Sequence, residues 1–239
     1  LDPDAVMIIL PADHTILNDD EFLRILGVAV ETASASRALI TIGIQPTHPE
    51  TGYGYIQYHT DAGSHNPHHA VGVLKVKTFA EKPNLQTAER FLESGDFLWN
   101  SGMFVWRADV ILEEIRKNLP ELFTELNKID QVIGTPYYQS TVEMAYGIIR
   151  GISIDYGVME KSDRVYVIPG DFGWSDIGSW DEVYRISGKD PSGNSITGKV
   201  IQKNTKNSYV YSPTKVVATI GVEDLIIVNT DDALLICKR

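Results

Sequence analysis

Short, continuous apolar runs separated by an amphipathic segment constrain this chain most. Val6-Met7-Ile8-Ile9-Leu10 is such a run, closed by Pro11, and Ala38 to Ile44 is another. Runs this short without alternation read as strands buried on both faces, as in a parallel sheet. Between them, Asn18, Asp19 and Asp20 are good helix starters, and Phe22, Ile25, Leu26, Ala29 and Ala33 recur at helical spacing. Strand, helix, strand in that order predicts a right-handed crossover unit of an α/β sheet.

The middle of the chain is less regular. Val71 to Phe79 and Met103 to Trp106 read as strands, and Val165 to Ile168 as a late one. Asn84 can cap a helix that Gly95 ends. Residues 108–131 are predicted helical with a break at Pro120, and Tyr138 to Ile149 and Ile154 to Lys161 as further helices. After about Pro191 helical periodicity vanishes. Short β-rich pieces follow, from Val200-Ile201 to Ala233–Ile236, with turn residues such as Gly193-Asn194 between them. A β-helix and a meander both fit this texture. The division is therefore 1–190 for an α/β domain and 191–239 for a small all-β appendage.

The 239 residues, 43% hydrophobic, suffice for one sizeable core plus an appendage. A net charge of −11 argues against a nucleic-acid surface and requires local cations or a metal wherever a phosphorylated ligand is to sit. No apolar stretch is long enough to span a membrane. A single cysteine, Cys237, rules out an internal disulfide, and a cytoplasmic setting is expected.

Five segments carry residues suited to chemistry. In Leu10-Pro11-Ala12-Asp13-His14, Asp13 follows the end of a strand, the edge where open α/β sheets bind ligands. Its carboxylate either holds a hard cation such as Mg²⁺ or caps the next segment. In Gly52-Tyr53-Gly54-Tyr55-Ile56 the glycines let the main chain approach a ligand, or simply make a tight turn. In Phe79-Ala80-Glu81-Lys82-Pro83, Glu81 can accept sugar hydroxyls and Lys82 can neutralise a phosphate. Pro83 is expected to keep the lysine backbone extended. A surface ion pair is the other reading. Asn100, in Trp99-Asn100-Ser101-Gly102-Met103-Phe104, offers a donor and an acceptor for reading a sugar, or lies in a turn. In Gly173-Trp174-Ser175-Asp176-Ile177-Gly178-Ser179-Trp180, Ser179 and Glu182 have capping-box spacing. Asp176 then lies at a helix start, where a bare N-terminus would favour an anion. It either joins Asp13 or caps its own loop. Lys161, at the end of the expected helix Ile154 to Lys161, can reach a phosphate or sit solvated. His65, His68 and His69 match no zinc spacing and read as exposed loop.

Taken in order, these five segments resemble the mannose-1-phosphate guanylyltransferases of the sugar nucleotidyltransferase family. The resemblance implies a Rossmann-like domain followed by a β-helix-like part. It implies transfer of a guanylyl group from GTP to mannose 1-phosphate with release of pyrophosphate. Asp13 and Asp176 would hold Mg²⁺. Lys82 would neutralise the sugar phosphate, assisted by Lys161, and Gly54, Glu81 and Asn100 would hold the mannose. No nucleic-acid or membrane partner is implied, and there is room for a homodimer. The family opens with a strand and a Gly-rich loop bearing an arginine, yet this sequence has no Gly-Gly pair and no Gly-x-Gly-x-x-Arg. The expectation is that an N-terminal segment is missing and that this chain alone binds GTP poorly. Rival readings are a related enzyme for another sugar or base, a non-catalytic sugar-nucleotide-sensing subunit, and an assembly module.

Overall fold

The computed structural model describes residues 2, 4–60 and 71–239, so the His65, His68 and His69 cluster lies outside the described residues. The chain packs as two units, Leu1–Ala12 with Ile16–Trp174, and Asp13–Thr15 with Ser175–Arg239.

The first unit is built on a six-stranded mixed sheet. Its elements are β1 (Val6–Ile9), α1 (Asp19–Ala35), β2 (Leu39–Ile44), β3 (Gly54–Tyr58), β4 (Leu74–Glu81), α2 (Leu85–Ser94), β5 (Phe97–Arg107), α3 (Ala108–Asn118), α4 (Pro120–Asp130), α5 (Tyr138–Ile148) and β6 (Val165–Gly170). The sheet order is β1-β5-β2-β6-β4-β3, and β3 also pairs with β5, so the last five strands close a circuit. Only β1 is left at a free edge among the described residues.

The central strand is β2. It lies parallel to β6 and antiparallel to β5, and Leu39, Ile40, Thr41 and Ile42 are fully buried. Ile40 and Ile42 pack into one core with Ile25, Ala29, Met103 and Val105, whereas Leu39 enters a second with Phe104, Trp106, Val158 and Met159. An unbroken apolar run is the pattern such two-sided burial demands. The helix α1 closes the first core with the stripe Phe22, Ile25, Ala29, Ala33, and Asn18 caps it by accepting the amide of Glu21 at 3.2 Å. Burying each large aliphatic side chain there contributes roughly 1.5–3 kcal/mol.

The first apolar run behaves differently from expectation. β1 is not buried on both faces in a parallel sheet. It is an edge strand antiparallel to β5, with Met7 and Ile8 43% and 45% exposed. It still runs parallel to β2, with β5 inserted between them, so the crossover through α1 skips one strand. The expected helix at Ile154 to Lys161 is a single π turn, Asp155–Met159, closed by the Glu160 amide on the Asp155 carbonyl at 2.9 Å. The predicted break at Pro120 stands, with Pro120 starting α4. No helix among the described residues is long and apolar enough to cross a membrane.

The second unit contains α6 (Trp180–Ile186) and a four-stranded sheet of β7 (Ser195–Lys203), β8 (Tyr209–Ile220), β9 (Leu225–Asn229) and β10 (Leu234–Lys238). β7, β8 and β9 are successive and parallel, and only β10 is antiparallel to its neighbour. Successive parallel strands without helices are coils of a β-helix, so the meander is excluded. Ser195 faces Tyr209, 14 residues on, and Tyr209 faces Ile226, 17 residues on. The corner is held by Asn194, only 1% exposed. Its Nδ2 donates to the Thr205 carbonyl at 2.9 Å and reaches Gln202 and Asp190, and its Oδ1 accepts the Ser208 amide at 3.1 Å. Tyr184 of α6 packs with Tyr209, Ile226 and Val228.

Candidate functional site

In the first unit the site is built where β5 bulges. Thr41 faces Phe104 but Gly43 faces Asn100, so Ile42 alone opposes Ser101 to Met103. A bulge re-aims side chains and is common beside active sites. Here Gly102 takes a left-handed φ of 70°, and the Ser101 hydroxyl donates to the Ile42 carbonyl at 2.7 Å. Asn100 is thereby fixed beside β3. Its neighbour Trp99 pairs with Tyr55, and Gly54 faces Glu81 across β4.

Glycine at 54 lets the Glu81 carboxylate lie against the strand. A Cβ there would fall inside contact distance of Glu81 Oε2 and 3.4 Å from the Asn100 Cβ. The backbone of β3, the Glu81 carboxylate and Asn100 therefore converge on one spot. Lys82 Nζ lies 3.7 Å from Glu81 Oε1, with the Lys82 side chain 65% exposed and that of Glu81 18%. The expected extended backbone at Lys82 is not found: its φ is 47°, with the amide donated to the Tyr53 carbonyl at 3.2 Å. That bond turns the chain out of β4 and overrides the preference set by Pro83.

Two acidic residues that the sequence reading did not assign join this cluster. Asp155, at the head of the π turn, accepts the Asn100 Nδ2 at 2.8 Å. Burial, the negative charges of Asp155 and, less, Glu160 push the Glu81 carboxyl up, against the pull of Lys82. Glu160 is likewise pushed up by desolvation and by Asp155, with Lys161 opposing. Lys161 is exposed and stands at the margin of the cluster, felt through Glu160. The signal for Asp155 was weak because its partner is 55 residues away. Asn100 itself differs from expectation: its oxygen accepts from Thr41 and Gly102, so its acceptor side is already engaged.

Asp13 and Asp176 belong to the second unit. Their segments are joined by Thr15 and Ser175, which exchange main-chain hydrogen bonds of 2.8 and 3.1 Å. Asp13 is 86% exposed at its side chain and lies 4.0 Å from His14 Nε2. Asp176 is half-buried, and its Oδ1 accepts the Gly178 amide at 3.1 Å, so the local cap is formed. Ile177 between them has φ 50°, a left-handed conformation unusual for a β-branched residue. The start of α6 is not bare: Ser179 Oγ accepts the Glu182 amide at 3.2 Å, and Asp181 and Glu182 fill the first turn. It therefore offers no anion site. Among the described residues no group of three or more His, Cys, Asp or Glu gathers to hold a metal.

The profile described as nucleotidyl transferase matches residues 1–193, and that described as MannoseP isomerase/GMP-like beta-helix domain matches residues 198–239. A mannose-1-phosphate guanylyltransferase of Escherichia coli is 39% identical over 98% of this chain and 50% of its own length. One from Escherichia coli strain K12 is 41% identical over 99% of the chain and 49% of its own length. The chain thus spans about half the length of the curated relatives it matches. Among solved structures, one described as a mannose-1-phosphate geranyltransferase from Thermus thermophilus superposes with TM-score 0.83 and 31% identity, covering 98% of this chain and 65% of that one. A mannose-6-phosphate isomerase from Helicobacter pylori gives TM-score 0.61 and 28% identity over 73% of this chain and 65% of its own. With one family profile covering residues 1–193 and the Gly54, Glu81 and Asn100 cluster formed within it, the chain belongs to the nucleotidyl transferase family.

Proposed function

We propose that this protein transfers a guanylyl group from GTP to mannose 1-phosphate, giving GDP-mannose and pyrophosphate. The observation that carries the reading is the convergence of Gly54, Glu81 and Asn100 with Lys82 at its rim. A strand end without a side chain at Gly54, a carboxylate acceptor and an amide donor suit a polyol, and the neighbouring exposed ammonium suits its phosphate. The names of the relatives support the choice of base and sugar.

In the reaction an oxygen of mannose 1-phosphate forms a bond to the α-phosphorus of GTP, and the bond from that phosphorus to the bridging oxygen breaks. The electron pair leaves with pyrophosphate. Both reactants are anions, so the barrier is one of repulsion and alignment. Lys82 offsets the charge of the sugar phosphate, with Lys161 in support. Glu81 and Asn100 orient the hexose, and the absence of a Cβ at Gly54 leaves room for the Glu81 carboxylate against β3. The attacking phosphate is already ionised, so no general base is required.

Asp13 and Asp176 are the residues that would hold Mg²⁺. The donor chemistry fits: two hard carboxylate oxygens, one largely exposed, suit an ion that keeps waters and completes its shell with phosphate oxygens. When bound, that ion supplies positive charge to the phosphates. A cytoplasmic location and a homodimer complete the reading.

The test is to incubate the complete protein that carries this chain with mannose 1-phosphate, GTP and MgCl₂ and to follow GDP-mannose and pyrophosphate. Parallel arms use UTP, ATP and glucose 1-phosphate. Faster turnover in any of those arms would replace the base or sugar, and no turnover in any arm would remove the catalytic reading.

A further inference from the structure

The side-chain amide of Asn100 is surrounded by groups of fixed hydrogen-bonding sense. The Gly102 main-chain amide can only donate, and it meets Oδ1 at 3.3 Å. An ionised Asp155 carboxylate can only accept, and it meets Nδ2 at 2.8 Å. A flipped amide would set N–H against N–H at one end and oxygen against oxygen at the other, so one orientation is dictated. The buried Thr41 hydroxyl lies 3.1 Å from the same Oδ1 and 3.2 Å from the Met103 carbonyl. Thr41 has one proton to share between these two acceptors, so the Gly102 amide is the partner that fixes Oδ1. The amide nitrogen has two protons, and Asp155 takes one.

What presents Asp155 is itself anchored. Val158 and Met159 of the π turn are fully buried in the second core. Gly157 lies so close to Leu119 that a Cβ there would come within 2.9 Å of the leucine Cδ1. Single π turns are rare and recur at functional sites. The head of this one is held at a fixed place, with its carboxylate turned to a residue on β5.

We propose that Asp155 is a positioning residue of the hexose site, which locks Asn100 as a one-proton donor aimed at an oxygen of the sugar. This rests on the reading of Asn100 as a hexose contact. Asn100 then recognises the sugar only through an oxygen that accepts, while hydroxyls that donate are left to Glu81. Without Asp155 only the contacts on Oδ1 hold the amide, its NH₂ end has lost its partner, and a ligand must spend part of its binding energy on ordering it.

Two variants of the complete protein test this. Asp155→Asn keeps an acceptor oxygen for Asn100, and Asp155→Ala removes it. The first readout needs no substrate: the ¹⁵N side-chain amide signals of Asn100. In the wild type and Asp155→Asn, one of the two protons is protected from exchange. In Asp155→Ala that protection is lost. The second readout is kinetic. Asp155→Ala raises KM for mannose 1-phosphate about tenfold or more, with kcat and the KM for GTP within about threefold, and Asp155→Asn stays within about threefold throughout. Unchanged Asn100 protection in Asp155→Ala overturns the lock. So does a fall in kcat and melting temperature together with a rise in both KM values, which marks a plain brace of the fold. If the wild-type protein turns over no sugar phosphate, the functional reading fails separately, and the amide signals alone decide whether Asp155 fixes Asn100.

Discussion

Thr15 and Ser175 lie 160 positions apart in the chain and exchange both main-chain hydrogen bonds, at 2.8 and 3.1 Å. This pairing brings the segment of Asp13 to the segment of Asp176. Asp176→Asn keeps the oxygen that accepts the Gly178 amide and removes only the charge. Turnover is expected to drop by about two orders of magnitude or more, since a neutral amide is a poor ligand for a hard cation. The melting temperature should stay put. Near-normal rates at saturating Mg²⁺ would take Asp176 out of the metal site.

Gly54→Ala probes the cradle. The new methyl would collide with Glu81 Oε2, and the carboxylate would have to swing away because β3 and β4 are paired there. The expected result is a rise of about tenfold in KM for the sugar phosphate with little change in KM for the nucleotide. Equal effects on both substrates would place Glu81 outside the sugar site.

Acid stability follows from a charge network on the first unit. Arg37 bridges Asp109 and Glu113, Arg107 pairs with Asp109, and Arg164 with Glu113. Arg107 and Arg37 hold the Asp109 carboxyl down at about 2, and Arg164 and Arg37 hold that of Glu113 at about 2, against ordinary values of 3.8 and 4.5. Both groups bind protons more readily when unfolded. Their contribution is therefore complete above 4.5 and fades as the pH falls toward 2. Thermal melts across that range should show a steep loss that Glu113→Gln makes shallower. Parallel curves for the two proteins would rule the network out.

Asn194→Ala addresses the coil. It leaves the Ser208 amide and the Thr205 carbonyl unpartnered in a buried corner. Two orphaned groups cost about 2–5 kcal/mol together. Urea unfolding, followed by a probe in β7 to β9, should shift accordingly. A shift below about 0.5 kcal/mol would show that water replaces the lost bonds.

The sequence was most legible where one local rule sufficed. Asn18, Asn84 and Ser179 cap the helices they were expected to cap, because a side-chain oxygen two or three residues ahead of an amide needs no tertiary help. The run Ala38 to Ile44 is the two-sided strand its composition announces. The run at Val6 to Leu10 has the same composition and lies at an edge, because neighbours decide burial and neighbours are set elsewhere in the chain. In the site, the meeting of Gly54, Glu81 and Asn100 was implied only by the family resemblance, since each segment taken alone read equally as a turn or a surface ion pair. Asp155 was given no role because it read as one of the polar groups at the end of an expected helix, and its partner Asn100 lies 55 residues away. The extra main-chain spacing that makes that segment a π turn leaves no mark on periodicity. The left-handed Lys82 was hidden for a similar reason: the Tyr53 carbonyl that holds it belongs to another segment of the chain.

The contact between Leu119 and Gly157 gives the helical corner of α3 and α4 a say in chemistry it never touches. A bulkier or smaller side chain at 119 would press on the π turn or release it, and the movement would arrive at Asp155. On the proposed function, natural drift at this outlying corner would retune sugar preference while Gly54, Glu81 and Asn100 stay the same.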